Sequence, residues 1–502
     1  MKSKEFLISI VFYILTNTLL SAQNAGKLIP IIQLHEDLEI LKSNLEQIHA
    51  GLYNYTPKVE LDKKFEELKL GIVEPLTAIE FYRRIATLHK YIKNGHTILI
   101  PSEEFDDATL NTTPNLPLDV YWDQGGLYIL RNNSDNIDAI PGVRIDSING
   151  RSAPELFLDM ADLWTRDGAN KTFPQGITQR AFAGFYINFV GSPKQYNLVV
   201  KNKEGLLENI KLKGLTVPEI DKNRKKRYGD IHFYWQKGDG DAVAVKIKDK
   251  VAHLEIKTCT NSDIRKFGRS IKGIMKSVFK KISNNNVEHL IIDLRNNGGG
   301  EEIISRELFR HIAQKPFVLF KDSYLITKKI PNKNLYSERI GLMNTFAKVG
   351  VYKAKDGYYR LNSFGSLLFR SYNRFKEHKP YNRSFKGAIY TLTNAYSFSA
   401  AGEIASSIKT NTESIFIGEE PGGNTHKVVA GEVFTLVLPN SGNRARIPIA
   451  NQIVNSTVVP EDRGVLPDHM IRNTIADELN GRDAMLDFTY DLIKKQNSPP
   501  ID

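Results

Sequence analysis

A chain of 502 residues with a single cysteine, Cys259, cannot close an intramolecular disulfide, so apolar cores rather than crosslinks must hold its fold. Cys259 ends the alternating stretch VAHLEIKTC and reads as a packed thiol, not a nucleophile. Metal-ligand spacing is also missing. There is no His-Glu-x-x-His, no cysteine pair and no clustered aspartate loop, so the sequence predicts no metal and no other cofactor. The Walker loop and GxGxxG patterns are absent too, which removes the phosphate-cradle reading of the glycines. Low-complexity tracts do not occur. The net charge of +11 comes from 68 basic against 57 acidic residues spread along the chain, so no nucleic-acid partner is expected. The densest basic cluster, Lys222 to Arg227, sits in a polar stretch and reads as part of a solvated linker. The length implies two to four domains.

Only one apolar run approaches the length of a membrane span. It runs from Phe6 to Leu20, follows Lys2 and Lys4, and ends in Leu-Ser-Ala-Gln at 20–23. Broken by Thr16, Asn17 and Thr18, it is short for a span and has the order of a secretory signal cleaved after Ala22. Residues 1–22 are therefore expected to be a signal peptide. The mature protein is expected to have no stable membrane span and to be periplasmic or extracellular.

The rest of the chain changes period several times. Leu34, Leu38, Leu41, Leu45 and Ile48 recur at helical spacing, as do Ile79, Tyr82, Ile85, Leu88 and Ile92, so 23–112 reads as a helical domain. Residues 113–213 alternate with period two through LPLDVYW, GGLYILR and VRIDSING. Within them AIPGVRIDSINGRSAPELFLDMADLW resembles the heart of a PDZ domain, a module that captures peptide ends as an added strand. Residues 214–243 read as a linker. A mixed αβ core follows over 244–490, with an amphipathic helix from Ser262 to Ile282, a strand at 287–294 and a helix from Glu301 to Ile312. An aromatic, basic insertion occupies 316–384, and 491–502 is a tail. The fold class expected is a multidomain α+β and α/β protein.

Two segments of the core carry candidate chemistry. NVEHLIIDLRNNGGGEE runs from an apolar strand into Gly298, Gly299 and Gly300, whose main chain can approach a substrate carbonyl closely. GAIYTLTNAYSFSAAGEIASSIK runs from another strand through Ser399 into a helix. A serine on that turn is both exposed and electrostatically favoured, and the N–H of Ala400 is a second possible oxyanion donor. Ser397 competes with Ser399 for the nucleophile role, and a simple helix cap is the bland reading of either. A serine hydroxyl also needs a neighbouring base.

Asp293 to Gly300, Ser397 to Glu403 and Glu461-Asp-Arg-Gly-Val-Leu-Pro-Asp468 together resemble the C-terminal processing peptidase family, which includes tail-specific proteases and tricorn-like peptidases. The resemblance implies a ClpP/crotonase-like catalytic core, no cofactor and an exported serine endopeptidase acting on polypeptides, with tails presented by the PDZ-like part. It implies Ser399 as nucleophile, with Gly299 and Ala400 as oxyanion donors. Asn94-Gly95-His96-Thr97 is similar to the family's Gly-His-Thr motif, so the tricorn-like version makes His96 the base and Glu461 the residue that orients it. Gly95 stands where tricorn-like members can carry a serine. The family's other version uses a lysine base, for which Lys427 lies just beyond the expected position. His426 is the rival histidine. An imidazole, with an ordinary pKa near 6.5, suits the role at neutral pH better than an undesolvated lysine does. A catalytically inactive peptide- or lipid-binding protein on the same scaffold is the alternative from another functional class.

Overall fold

The computed structural model describes residues 26–202, 204–230, 242–265, 270–337, 350–361 and 375–497. The expected signal peptide, 1–22, lies outside them, as do parts of the 316–384 insertion and the end of the tail.

The leucine spacing of the N-terminal region forms helix α1, Ile31–Ile48, and every residue of that stripe is buried. Helices α2 (Lys58–Leu70) and α3 (Ala78–Ile85) pack with it. Helix α3 opens on a capping box, in which Thr77 and Glu80 satisfy each other's main-chain N–H. Its pattern runs on through a 3-10 turn and the short helix His89–Ile92, then stops at Lys93, whose φ of 50° is left-handed. Five residues later begins strand β1, Ile98–Ile100.

Residues 118–213 build an antiparallel sheet in the order β2 (Leu118–Asp123), β3 (Gly126–Asn132), β4 (Arg144–Ile148), β5 (Gln195–Lys201) and β6 (Leu207–Lys213). Helices α4 (Ala153–Asp162), α5 (Thr172–Arg180) and α6 (Phe182–Phe189) complete this β-rich module around its own apolar core. The stretch read as a linker is in part a helix. Val217–Tyr228 form α7, started by a capping box of Thr216 and Glu219 with a proline in the first turn. Two arginines of the basic cluster are docked on the β-rich module, while Lys222, Lys225 and Lys226 stay exposed to solvent. Arg224 pairs with Asp119 at 3.1 Å, and Arg227 donates to the carbonyl of Ser134 at 3.0 Å.

The αβ core is a six-stranded sheet ordered β15 (His469–Met470), β12 (Ile415–Gly418), β11 (Ala388–Thr393), β9 (His289–Asp293), β8 (Val251–Ile256) and β7 (Val243–Lys248). Its central pairings are parallel, and only β7 runs antiparallel to its neighbour. Strand β9 is buried along its full length, as a central parallel strand covered on both faces must be. The helix expected from Ser262 to Ile282 is instead two. Asn261–Arg265 are helical, and α8, Ile271–Asn284, starts afresh because Ser270 Oγ accepts the N–H of Gly273 at 3.2 Å. Helices α9 (Ile303–Ile312), α10 (Ala400–Asn411) and α11 (Ala484–Asn497) complete the layers, with α11 taking up residues 491–497 of the expected tail.

A second sheet ties the N-terminal region to this core. The long strand β14 (Arg444–Val454) pairs with β13 (Lys427–Val437) along one edge. Its other edge takes β1 at one end and β10 (Phe320–Tyr324) at the other. Ile98 faces Arg446 and Leu99 faces Ala445 in that register. The segment just before β1 is thereby carried to the core.

Candidate active site

The turn that carries Ser399 is built by two strands that end side by side. β9 and β11 are parallel neighbours, so the loops after Asp293 and Thr393 leave the same sheet edge together. The side chains of Asn296 and Asn394 bond the two loops, with Asn394 Nδ2 donating to Asn296 Oδ1 at 2.9 Å. Phe398 N–H donates to the carbonyl of Asn297 at 2.9 Å. Ser397 is fully buried, and its hydroxyl donates to the Leu294 carbonyl at 2.8 Å. That bond makes Ser397 a brace between the loops and removes it as a nucleophile.

Ser399 sits at φ 56°, ψ −124°, a left-handed conformation that costs a non-glycine residue about 1–3 kcal/mol. It stands at the N-cap of α10, yet its side chain caps nothing. Its Oγ instead lies 3.0 Å from His96 Nε2, which excludes the helix-cap reading. The same turn explains one glycine. A Cβ on Gly299, at φ +94°, would lie 2.6 Å from Ser399 Cβ and 2.9 Å from Ala400 N. The N–H of Ala400 heads helix α10, where main-chain donors have no intrahelical partner. The N–H of Gly299 is different. It donates to Asn297 Oδ1 at 2.9 Å, so in this structure it is engaged inside its own loop rather than offered to an oxyanion.

His96 approaches from the N-terminal region on a braced segment. Thr97 Oγ1 donates to Asn94 Oδ1 at 2.7 Å and lies 2.7 Å from His49 Nε2. Leu99 N–H donates to His89 Nε2 at 2.9 Å, while His89 Nδ1 donates to the Leu163 carbonyl, also at 2.9 Å, which fixes that ring's tautomer. From the β-rich module, Asp167 Oδ1 accepts from the N–H of Gly95 at 3.0 Å and from Asn94 Nδ2 at 3.2 Å. The His96 ring packs on Phe398 at 4.6 Å between centroids, and Phe398 stacks on Phe173 at 4.4 Å. Burial pushes the His96 imidazole down to about 4, with the nearby positive Arg446 adding to the shift. The ring is therefore neutral at pH 7 and able to accept a proton.

Glu461 is not where the motif puts it. Its side chain is 67% exposed and lies 3.9 Å from His426 Nε2, while Nδ1 of His96 is buried with no hydrogen-bond partner. The main chain explains the displacement. Asn424 Nδ2 holds the Glu461 carbonyl at 2.7 Å, and Ala169 N–H holds the Asp462 carbonyl at 2.9 Å, which pins this loop by its backbone and leaves the carboxylate outside. His426 is occupied by Thr425 Oγ1 at 2.9 Å, and the Lys427 side chain is exposed, so neither stands as the base beside Ser399. Asn94 and Thr97 stood beside His96 in the Asn-Gly-His-Thr stretch, but Asp167 and His49 had no signature of their own in the sequence. The only hint was the Asp-Gly turn at 167–168.

Among the described residues, His253, Glu255 and Asp293 bring possible metal-ligand atoms within 4.8 Å of one another, behind the catalytic turn. Burial alone would raise the Asp293 carboxyl, but His253 and the Arg295 guanidinium outweigh it and hold it down to about 2. Arg295 donates to both Asp293 oxygens, so these residues form an ion-pair brace that a metal would have to dismantle.

Residues 250–471 match the model of peptidase family S41. No curated protein matches the sequence itself. Among solved structures, mature CPAF is 16% identical, with a TM-score of 0.61 over 93% of this chain and 99% of that one. A CPAF point mutant gives 14%, 0.62, 94% and 99%, and mature CPAF complexed with lactacystin gives 15%, 0.60, 93% and 98%. At these identities the likeness is one of fold, and it runs through the helical and β-rich parts as well as the core. With a serine and a histidine in contact at the end of a parallel sheet and the S41 match spanning that sheet, residues 250–471 are similar to the C-terminal processing peptidases of family S41, and together these findings support a serine-type peptidase.

Proposed function

We propose that the protein is an exported serine endopeptidase in which Ser399 is the nucleophile and His96 the general base. The observation that carries this reading is the 3.0 Å contact between His96 Nε2 and Ser399 Oγ, two atoms brought together across 303 residues of chain. That spacing is within the reach a general base needs. Ser399 Oγ attacks the scissile carbonyl while its proton passes to Nε2, and the imidazolium later returns that proton to the departing amine. Water then attacks the acyl-enzyme with His96 again as base. The tetrahedral oxyanion is met by the N–H of Ala400 at the positive end of helix α10, a donor of the kind worth about 3 kcal/mol in the transition state. Strain at Ser399 holds its Oγ clear of the helix. The β-rich module presents the C-terminal tail of a polypeptide substrate, and residues 1–22 direct export.

A fluorophosphonate probe tests the nucleophile. Wild-type protein labels, whereas Ser399→Ala does not and loses hydrolysis of an unstructured polypeptide. Equal labelling of the two proteins sinks the assignment.

A further inference from the structure

The base depends on a residue that lies in neither the family match nor the catalytic loops. We propose that Asp167 is a positioning residue for the peptidase reaction, a side chain lent by the β-rich module that sets His96 against Ser399 by holding the main chain just before it. This rests on the reading of Ser399 and His96 as nucleophile and base.

The geometry is specific to the stretch ahead of His96. Gly168 N–H donates to the Lys93 carbonyl at 3.0 Å, Thr165 Oγ1 donates to the Asn94 carbonyl at 2.5 Å, and Asp167 Oδ1 accepts from both Asn94 Nδ2 and Gly95 N–H. Residues 93, 94 and 95 are thus each held by the segment 165–168, and the next residue is the base. Asp167 is only 2% exposed, and its Oδ2 is buried without a hydrogen-bond partner. An aspartate costs stability in such a place, where an apolar side chain would pack without penalty. Space confirms how close the fit is. A Cβ on Gly95 would lie 2.7 Å from Asp167 Oδ2 and 2.8 Å from the Phe398 ring, the same ring His96 packs on. Gly95 is therefore the residue that lets the Asp167 carboxylate and Phe398 close on the main chain together, and the absence of a serine there has a physical reason. The segment 165–170 also reaches the other side of the site. Ala169 N–H holds the Asp462 carbonyl, and Asn170 Nδ2 holds the Pro421 carbonyl at 2.9 Å. A displacement of the base by about 1 Å costs up to about 100-fold in rate, and that is the sensitivity this brace controls.

The test compares kcat and KM on one unstructured polypeptide for wild type, Asp167→Ala, Asp167→Asn and Gly95→Ala. Asp167→Ala is expected to lower kcat by about 10- to 100-fold with KM within about 3-fold. Asp167→Asn keeps an oxygen that accepts the same two hydrogen bonds and is expected to restore kcat to within about 3-fold of wild type. Gly95→Ala reaches the same geometry from the other partner and should again lower kcat rather than raise KM. Amide hydrogen exchange at Gly95, slow in wild type and Asp167→Asn and fast in Asp167→Ala, separates loss of the brace from global unfolding. Unchanged kcat in Asp167→Ala, a loss carried in KM, or Asp167→Asn as impaired as Asp167→Ala each overturns the proposal. Ser399→Ala and His96→Ala are run alongside. If they are inactive while Asp167→Ala is fully active, only the positioning role falls; if they retain activity, the catalytic reading falls and takes this inference with it.

Discussion

The two halves of the site are made in opposite ways. The proposed nucleophile is a local product: β11 ends, the chain turns through a strained Ser399, and α10 begins, all within about twenty residues braced by the parallel partner β9. The proposed base depends far more on distant contacts. His96 is held by His49 and His89 from the helical region, by Asp167 from the β-rich module, and by the pairing of β1 with β14. A strand–turn–helix supports its serine largely from within, whereas the histidine adds to its local bonds others from His49, Asp167 and β14, drawn from the rest of the molecule. Chemistry that can be read from one stretch of chain is therefore only half of this enzyme.

The first way to break that comparison is to remove the base itself. His96→Ala should lower kcat by about 1,000-fold or more in steady-state hydrolysis while the fold persists, since the ring is part-buried at the protein's centre of chemistry rather than in a core. Gly299→Ala attacks the locally built half. Its new methyl would overlap Ser399 Cβ at a φ of +94°, and about a 100-fold loss of kcat is expected, with fluorophosphonate labelling slowed in parallel.

Acid sharpens the contrast. Burial pushes His49, His89 and His96 down to about 4, so each favours the folded state only while neutral. That contribution is complete above an ordinary imidazole pKa of 6.5 and is lost as pH falls towards 4, by about 1.4 kcal/mol per pH unit for each ring. Asp293, held down to about 2, keeps its ion pair through the same range. Hydrogen exchange at pH 5 against pH 7 should therefore quicken around residues 44–100 before it does around 287–300. For the same reason the acid limb of kcat/KM should lie well below 6.5, because the base stays unprotonated into mildly acidic solution. A limb at 6.5 would show that the ring is more exposed in the working enzyme. The smallest effect belongs to Lys427→Ala, which should leave kcat/KM within about 2-fold because that side chain is exposed to solvent.

The local half was legible in sequence because periodicity and turn chemistry are local signals. The strand before Gly298, the strand before Ser399 and the stripe from Leu34 to Ile48 all announce themselves by spacing. Helix α7 starts on a capping box of Thr216 and Glu219 inside the stretch read as a linker, and nothing local revealed that Arg224 and Arg227 would find partners on the β-rich module. The role of Asp167 was illegible for a deeper reason. A side chain that accepts from the main chain 72 residues away leaves no period and no motif. Glu461 is the reverse case, a residue with a motif whose carboxylate the fold holds away from His96 by pinning the loop's carbonyls.

The pairing of β1 with Arg444–Arg446 has a practical consequence. A shortened polypeptide starting at residue 250, where the family match begins, would keep its hydroxyl and lose its proton acceptor. It would also bare one edge of β14, exposing a row of unsatisfied main-chain groups that invites other chains to add on. Such a fragment should be inert and prone to self-association, and both faults should disappear together when the missing N-terminal part is supplied.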